Sequence, residues 1–151
     1  MISRLALAMT ALTVLGMPAR GAETFKYLTP EAAHALTAKL NNGIATNMLY
    51  NKGFYLEQLV ERDASAPVET HAEWTDHIIV LDGEATMVIG GTVADDKDSA
   101  PGERRGTSSS GGMEYRMAKD VMITIPAGTP HWTVLKPGQH VRWVVFKIKE
   151  N

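Results

Sequence analysis

Beyond residue 43 the apolar positions of this chain recur at every second residue, in short runs broken by Gly, Pro and Asp. A period of two is that of a strand with one face turned to a core. Residues 47–50, 54–62, 87–91, 115–117, 121–125, 132–135 and 141–149 read as strands. Residues 78–81 and 84–89, separated by Asp82-Gly83, read as a hairpin on a tight turn. Lys136-Pro137-Gly138-Gln139 supplies a further turn between the last two strands. Many short strands with turns at regular spacing predict an all-β antiparallel sandwich or barrel, and no internal repeat is visible.

Before residue 43 the pattern is different. Thr29-Pro30-Glu31 gives a hydroxyl cap, a proline at the first helical position and an acid in the first turn. A helix follows, with Ala33, Leu36 and Leu40 as its apolar stripe, and it is expected to stop at Asn41-Asn42-Gly43. His34 in this helix reads as a surface residue, as does His140 beside the last turn. Residues 1–21 carry Arg4, an apolar run over 5–17, Pro18 and small residues at 19 and 21. That is the plan of a secretory signal peptide cleaved after Gly21, and the run is too short for a comfortable membrane span. The expected organisation is a signal peptide over 1–21, an N-terminal segment with a helix over 22–46, and a barrel over 47–151. One stretch breaks the rhythm: residues 94–112, ADDKDSAPGERRGTSSSGG, have almost no apolar residue. Such a loop reads either as a solvated insertion or as a flap over the barrel mouth, with Arg104 and Arg105 offering charge to an anion.

Composition narrows the function. The 151 residues suit one domain with a real core, and 44% apolar with 21% charged residues is the balance of a globular protein. Net charge is −2, becoming −4 once Arg4 and Arg20 leave with the signal peptide. No basic run points to nucleic acid. Cysteine is absent, which removes disulfides, zinc fingers and thiol nucleophiles and leaves nitrogen and oxygen as metal ligands. An exported chain without cysteine suits the periplasm.

Those ligands cluster. In ETHAEWTDHIIVLDG, His71 and Glu73 are two apart in an extended segment and share a face. Either Asp76 or His77, whichever turns inward on the next strand, then lies near them. Far along the chain, IPAGTPHW places His131 behind a turn fixed by Pro126, Gly128 and Pro130. Imidazole and carboxylate ligands of this kind suit Zn, Fe(II), Mn, Ni or Cu. Trp74 and Trp132 adjoin the candidate ligands and are candidate pocket walls, whereas Trp143 reads as core.

PAGTPH matches the second cupin motif, PxGxxH, and HAEWTDHIIVLDG resembles the first, HxHxxxE followed by Gly. The resemblance covers roughly residues 54–149 and is to the small single-domain exported cupins of bacteria. It implies a conical antiparallel barrel, the double-stranded β-helix or jelly roll, with one divalent metal inside. Glu73 stands where the family has its second histidine, and His77 stands near the family's acid. The preferred ligand set is therefore His71, Glu73, His77 and His131, which keeps three imidazoles and one carboxylate. The rival register places Asp76 on the metal, because its spacing to Gly83 fits the motif and that of His77 does not. Adjacent strand residues cannot both face inward without a bulge.

Three functions are compatible with these residues. The first is a metal-dependent enzyme acting on a small oxygen-rich molecule such as an enediol, hydroxy acid or catechol, with dioxygenase, isomerase or lyase chemistry and Glu73 as the candidate proton carrier. The second is a non-catalytic periplasmic ligand-binding cupin. The third is a metal-free structural cupin. The resemblance also implies a homodimer through outer strands, with residues 25–28 and the helix covering the partner or closing the barrel's end.

Overall fold

The structure is a computed structural model, and it describes residues 27–150. The expected signal peptide over residues 1–21 lies outside the described residues, as does the first part of the expected 25–28 cover. No helix among the described residues is long and apolar enough to cross a membrane.

Helix α1 (Pro30–Thr37) begins where the cap pattern requires: the Thr29 side chain accepts a hydrogen bond from the Ala32 amide at 3.2 Å. It ends at Thr37, before the Asn-Asn-Gly stop. Asn42 and Gly43 do adopt left-handed φ values of 50° and 77°, but they form the tight turn that opens the first strand. The buried face is Ala33 and Thr37, with Leu36 43% exposed, so the expected leucine stripe is displaced. Thr37 donates its hydroxyl to Glu61, which accounts for the burial of a polar residue.

Twelve strands follow: β1 (Ile44–Asn51), β2 (Tyr55–Arg62), β3 (Val68–His71), β4 (Trp74–Ile89), β5 (Thr92–Ala94), β6 (Lys97–Ala100), β7 (Glu103–Gly106), β8 (Ser108–Ser110), β9 (Met113–Ala118), β10 (Met122–Ile125), β11 (His131–Val134) and β12 (Val141–Lys149). All pairings are antiparallel, in the order β1-β2-β12-β4-β11-β3-β7-β6, with β9 and β10 also on β4 and β5 paired to β8. The sheet curls around a core of Val60, Ile78, Val80, Met87, Met117, Ile125 and Trp143 among others.

Strand β4 corrects the hairpin expectation. The chain does not reverse at Asp82-Gly83; it runs on as one strand of 16 residues. Against β12, Trp143 faces Val80 while Arg142 faces Asp82, so Leu81 is an extra residue on β4, a β-bulge. Gly83 sits beside it at φ 74°, with the His140 carbonyl oxygen 2.2 Å from where a Cβ would stand. The bulge changes the strand's phase: Asp76 and Val80 are buried before it, Ala85 and Met87 after it. A bulge at Leu81 lets one strand serve two parts of the curled sheet, β10 and β12 on its first half, β9 and β11 on its second.

The polar segment 94–112 is folded as strands. β6 and β7 form a ribbon whose β7 pairs with β3, and β8 pairs with β5. Its polarity reflects exposure: every residue of β6 is exposed, and β7 is partly covered. Arg104 is held outside by Asp96 and Asp98 at 2.9 and 2.7 Å, whereas Glu103 and Arg105 line the barrel cavity.

Candidate functional site

The barrel encloses a cavity of about 330 Å³, and alternate residues of several strands line it. β3 contributes Glu69 and His71, β4 Asp76 and Ile78, β7 Glu103 and Arg105, and β12 Trp143, Val145 and Lys147. Four pairs of polar cavity residues are directly opposed across strands. Glu69 faces Arg105, His71 faces Glu103, Asp76 faces Lys147 and His131 faces Glu69. Register brings these pairs together, and the contacts of Lys147 and Asp76 with His71 and of Arg62 with Glu69 then join strands that do not pair.

His71 and His131 come from remote segments and meet with ring centroids 5.0 Å apart. The Asp76 Oδ2 atom lies 3.7 Å from His71 Nε2 and 4.0 Å from His131 Nε2. Glu69, His71 and His131 each bring a ligand atom to within 4.8 Å of the others. The PAGTPH turn fixes the cluster: the Gly128 amide donates to the His71 carbonyl at 2.7 Å, and the Ala127 amide donates to Thr75 Oγ1 at 3.1 Å.

The tautomers follow from the partners. His131 Nδ1 donates to the Thr129 carbonyl at 3.1 Å, which leaves Nε2 facing Asp76. Lys147 Nζ can only donate, so His71 Nε2 accepts from it at 2.7 Å, and His71 Nδ1 donates to Glu103. Burial, aided by the Lys147 ammonium, pushes His71 down to about 4, so the ring is neutral at neutral pH. Burial raises the Glu103 carboxyl, with Lys147 opposing. Burial also works to raise Glu69, but the attraction of Arg62, His131 and Arg105 outweighs it and holds the carboxyl below its usual range. Lys147 Nζ also sits 3.0 Å from Asp76 Oδ2, and its side chain is 12% exposed.

The sequence-predicted residues divide. His71, His131 and the rival acid Asp76 come together, and Trp74 lines the cavity. His77 does not join them. It lies opposite Thr124, whose hydroxyl is 3.2 Å from its Nδ1, on the face away from Asp76. Asp76 and His77 are consecutive on a strand with no bulge between them, so only one can face inward. Glu73 is also outside: it lies in the bend before β4, 57% exposed, and pairs with Lys149 at 2.9 Å. Its assumed extended continuity with His71 is lost because β3 ends at His71. Trp132 turns away from the cavity and donates its indole N–H to the Ala66 carbonyl at 2.6 Å. Trp143 is core, 4% exposed, and its ring also forms cavity wall. His34 and His140 are exposed, near Arg142 and Asp82 respectively.

Sequence reasoning missed Glu69, Glu103 and Lys147, and of the two arginines it named in the polar segment, Arg105 is the one that lines the cavity. Lys147 carried a signal: Val141, Trp143 and Val145 set the buried phase of the last strand, and Lys147 is next in that phase. Glu69 is likewise two residues before His71.

The donor set fits a borderline divalent cation. Two imidazole nitrogens face carboxylate oxygens at a buried position, and Asp76 Oδ1 is buried without a hydrogen-bond partner among the described residues. His71, His131 and Asp76 would hold such an ion, with Glu69 beside them.

No protein-family model and no curated protein matches the chain. Solved structures do. The polyketide cyclase RemF of Streptomyces resistomycificus is similar at 23% identity and TM-score 0.51, over 70% of this chain and 65% of that one. The cupin domain of Schizosaccharomyces pombe Cnp3 is similar at 16% identity and TM-score 0.54, over 74% and 69%. A recombinant oxalate oxidase in complex with glycolate is similar at 17% identity and TM-score 0.53, over 77% and 58%. The chain thus spans less than two thirds of the cyclase and of the oxidase. The likeness of this curled antiparallel sheet to those structures makes this a protein of the cupin fold.

Proposed function

We propose that this protein is an enzyme acting on a small oxygen-rich molecule in the barrel cavity, with one divalent metal held by His71, His131 and Asp76. The observation that carries the reading is the approach of Asp76 Oδ2 to both imidazoles, at 3.7 and 4.0 Å, in a buried site. A divalent ion there supplies Lewis-acid activation of a substrate oxygen. The chain's own residues do the rest. His71 stays neutral and keeps its Nε2 lone pair turned inward. Arg105, 51% exposed and anchored on Glu69, offers its guanidinium to an incoming carboxylate. Glu103, joined to His71 Nδ1, fixes the tautomer and orientation of that ring.

Enediols, hydroxy acids and catechols present paired oxygens and fit this chemistry. The occurrence of enzymes among the fold neighbours, one of them an oxalate oxidase in complex with glycolate, supports a small oxygenated acid. The site of action proposed is the periplasm, after cleavage near Gly21. A homodimer is proposed through β1, which ends the sheet and bears Met48 at 47% exposure.

The test is metal analysis of the purified chain after equilibration with divalent ions, combined with turnover of a panel of small oxygenated acids. One ion per chain, lost in His131→Ala together with turnover, is expected. A chain that takes up no ion and turns over nothing refutes the reading. Ligand binding without turnover would instead favour the binding-module function.

A further inference from the structure

We propose that Lys147 is the resident cation of the candidate metal position, and that a divalent ion enters by displacing its ammonium. The proposal rests on the reading of His71, His131 and Asp76 as a metal centre, and it goes beyond that reading in assigning the competitor.

The geometry carries it. Lys147 Nζ is 2.7 Å from His71 Nε2 and 3.0 Å from Asp76 Oδ2, so it hydrogen-bonds two of the three proposed ligands through the atoms that a metal would use. Imidazole and carboxylate ligands approach a cation such as Zn²⁺ to about 2.0–2.2 Å. A metal bonded to both atoms would stand against the ammonium at less than contact distance, with like charge. The two occupants exclude each other.

The surroundings explain why the chain places an ammonium there. Glu69 already has two guanidinium partners, Arg62 at 3.6 Å and Arg105 at 2.9 Å. Glu103 is bonded to His71. Asp76, 4% exposed, has Lys147 as its cation. A buried carboxylate without a counter-charge is strongly unfavourable, so some cation must stand beside Asp76. The cross-strand register supplies it, because Lys147 is the residue opposite Asp76 on β12. A lysine is suited to give way: its charge is a point on a flexible four-carbon stem, where an arginine fork would be held by its geometry. The cavity gives the stem room to swing.

The experiment titrates zinc into the full chain and into Lys147→Met and Lys147→Gln by calorimetry, with bound metal counted after dialysis. Removing the competitor is expected to tighten zinc binding by about 10- to 100-fold, the range over which groups adjoining metal ligands act. A second measurement uses the unaltered chain. Acylation of Lys147 by N-hydroxysuccinimide acetate, read by peptide mass against the distant Lys119, is expected to rise several-fold on saturation with zinc. Equal zinc affinity in the unaltered chain and the variants would overturn the role of Lys147 and leave the metal centre standing. Absence of zinc binding in all three folded proteins would overturn the metal centre and this proposal with it. If neither variant folds, labelling of Lys147 that does not change with zinc overturns the proposal by itself.

Discussion

Replacing Gly83 by alanine tests the bulge that positions the site. Two costs arise there. The residue has φ 74°, a conformation that costs a side-chain-bearing residue about 1–2 kcal/mol. Its Cβ would also stand 2.2 Å from the His140 carbonyl oxygen and 2.9 Å from the carbonyl carbon, both backbone atoms of the residue that leads into β12. Relieving that overlap means moving β12 away from β4 at the bulge, and overpacking of this kind costs about 1–3 kcal/mol more. The expected total is about 2–5 kcal/mol. Gly138 is the control. It has φ 81°, in the turn closed by the Gln139 amide on the Lys136 carbonyl, and an added Cβ would meet nothing within 4 Å. Gly138→Ala therefore carries the conformational cost alone, about 1–2 kcal/mol. Urea denaturation followed by tryptophan fluorescence measures both, and the difference isolates the steric contribution. If Gly83→Ala is no more destabilising than Gly138→Ala, the close approach of β12 is wrong. The phase change that turns Asp76 and Met87 to the same cavity then loses its support.

Among the acids and imidazoles of the opening motif, Asp76→Asn is expected to lower zinc uptake by at least about tenfold. Glu73→Gln and His77→Ala, by contrast, leave it within twofold; calorimetry on the three variants checks this, and an equal loss in His77→Ala would reverse the register. Tyr55 is pushed up to about 12 by burial and by its 2.5 Å hydrogen bond to Glu57. Its neutral form is the one the fold favours, so the stability it contributes is full below about pH 10 and is lost as pH rises through about 12. Ultraviolet titration should show one phenol ionising near 12, and Glu57→Gln should bring that midpoint down. Met117, fully buried in the core, should cost about 2–5 kcal/mol on truncation to alanine, read as a shift in urea midpoint.

What the sequence made legible was local and periodic. The cap at Thr29, the strand over 141–149, the turn at Gly138 and the fixed position of His131 each follow from a few neighbouring residues with one strong preference. The misreadings came where a long-range partner decided. Asp82-Gly83 has the composition of a hairpin turn, but β12 lies along both sides of it and takes the glycine as a bulge neighbour. Asp76 and His77 differ only in which way one strand faces, and that is set by Ile125 and Lys147 on the strands beside it. Glu73 was assumed to continue the line of His71, but the chain bends between β3 and β4. The polar composition of 94–112 concealed strands because much of that ribbon is solvent-facing, and only alternate residues such as Glu103 and Arg105 turn to the cavity.

The ribbon has a consequence for how such a protein can change. β7 brings Glu103 and Arg105 to the site while joining the main sheet through β3 alone, and its other neighbour is β6. One side of the chamber is therefore a detachable panel. Exchanging its two chemical groups would change the partners of His71 and Glu69 on β3, while the staves that carry Asp76, His131 and Lys147 do not pair with it. Selection for a new guest molecule can act on that panel first.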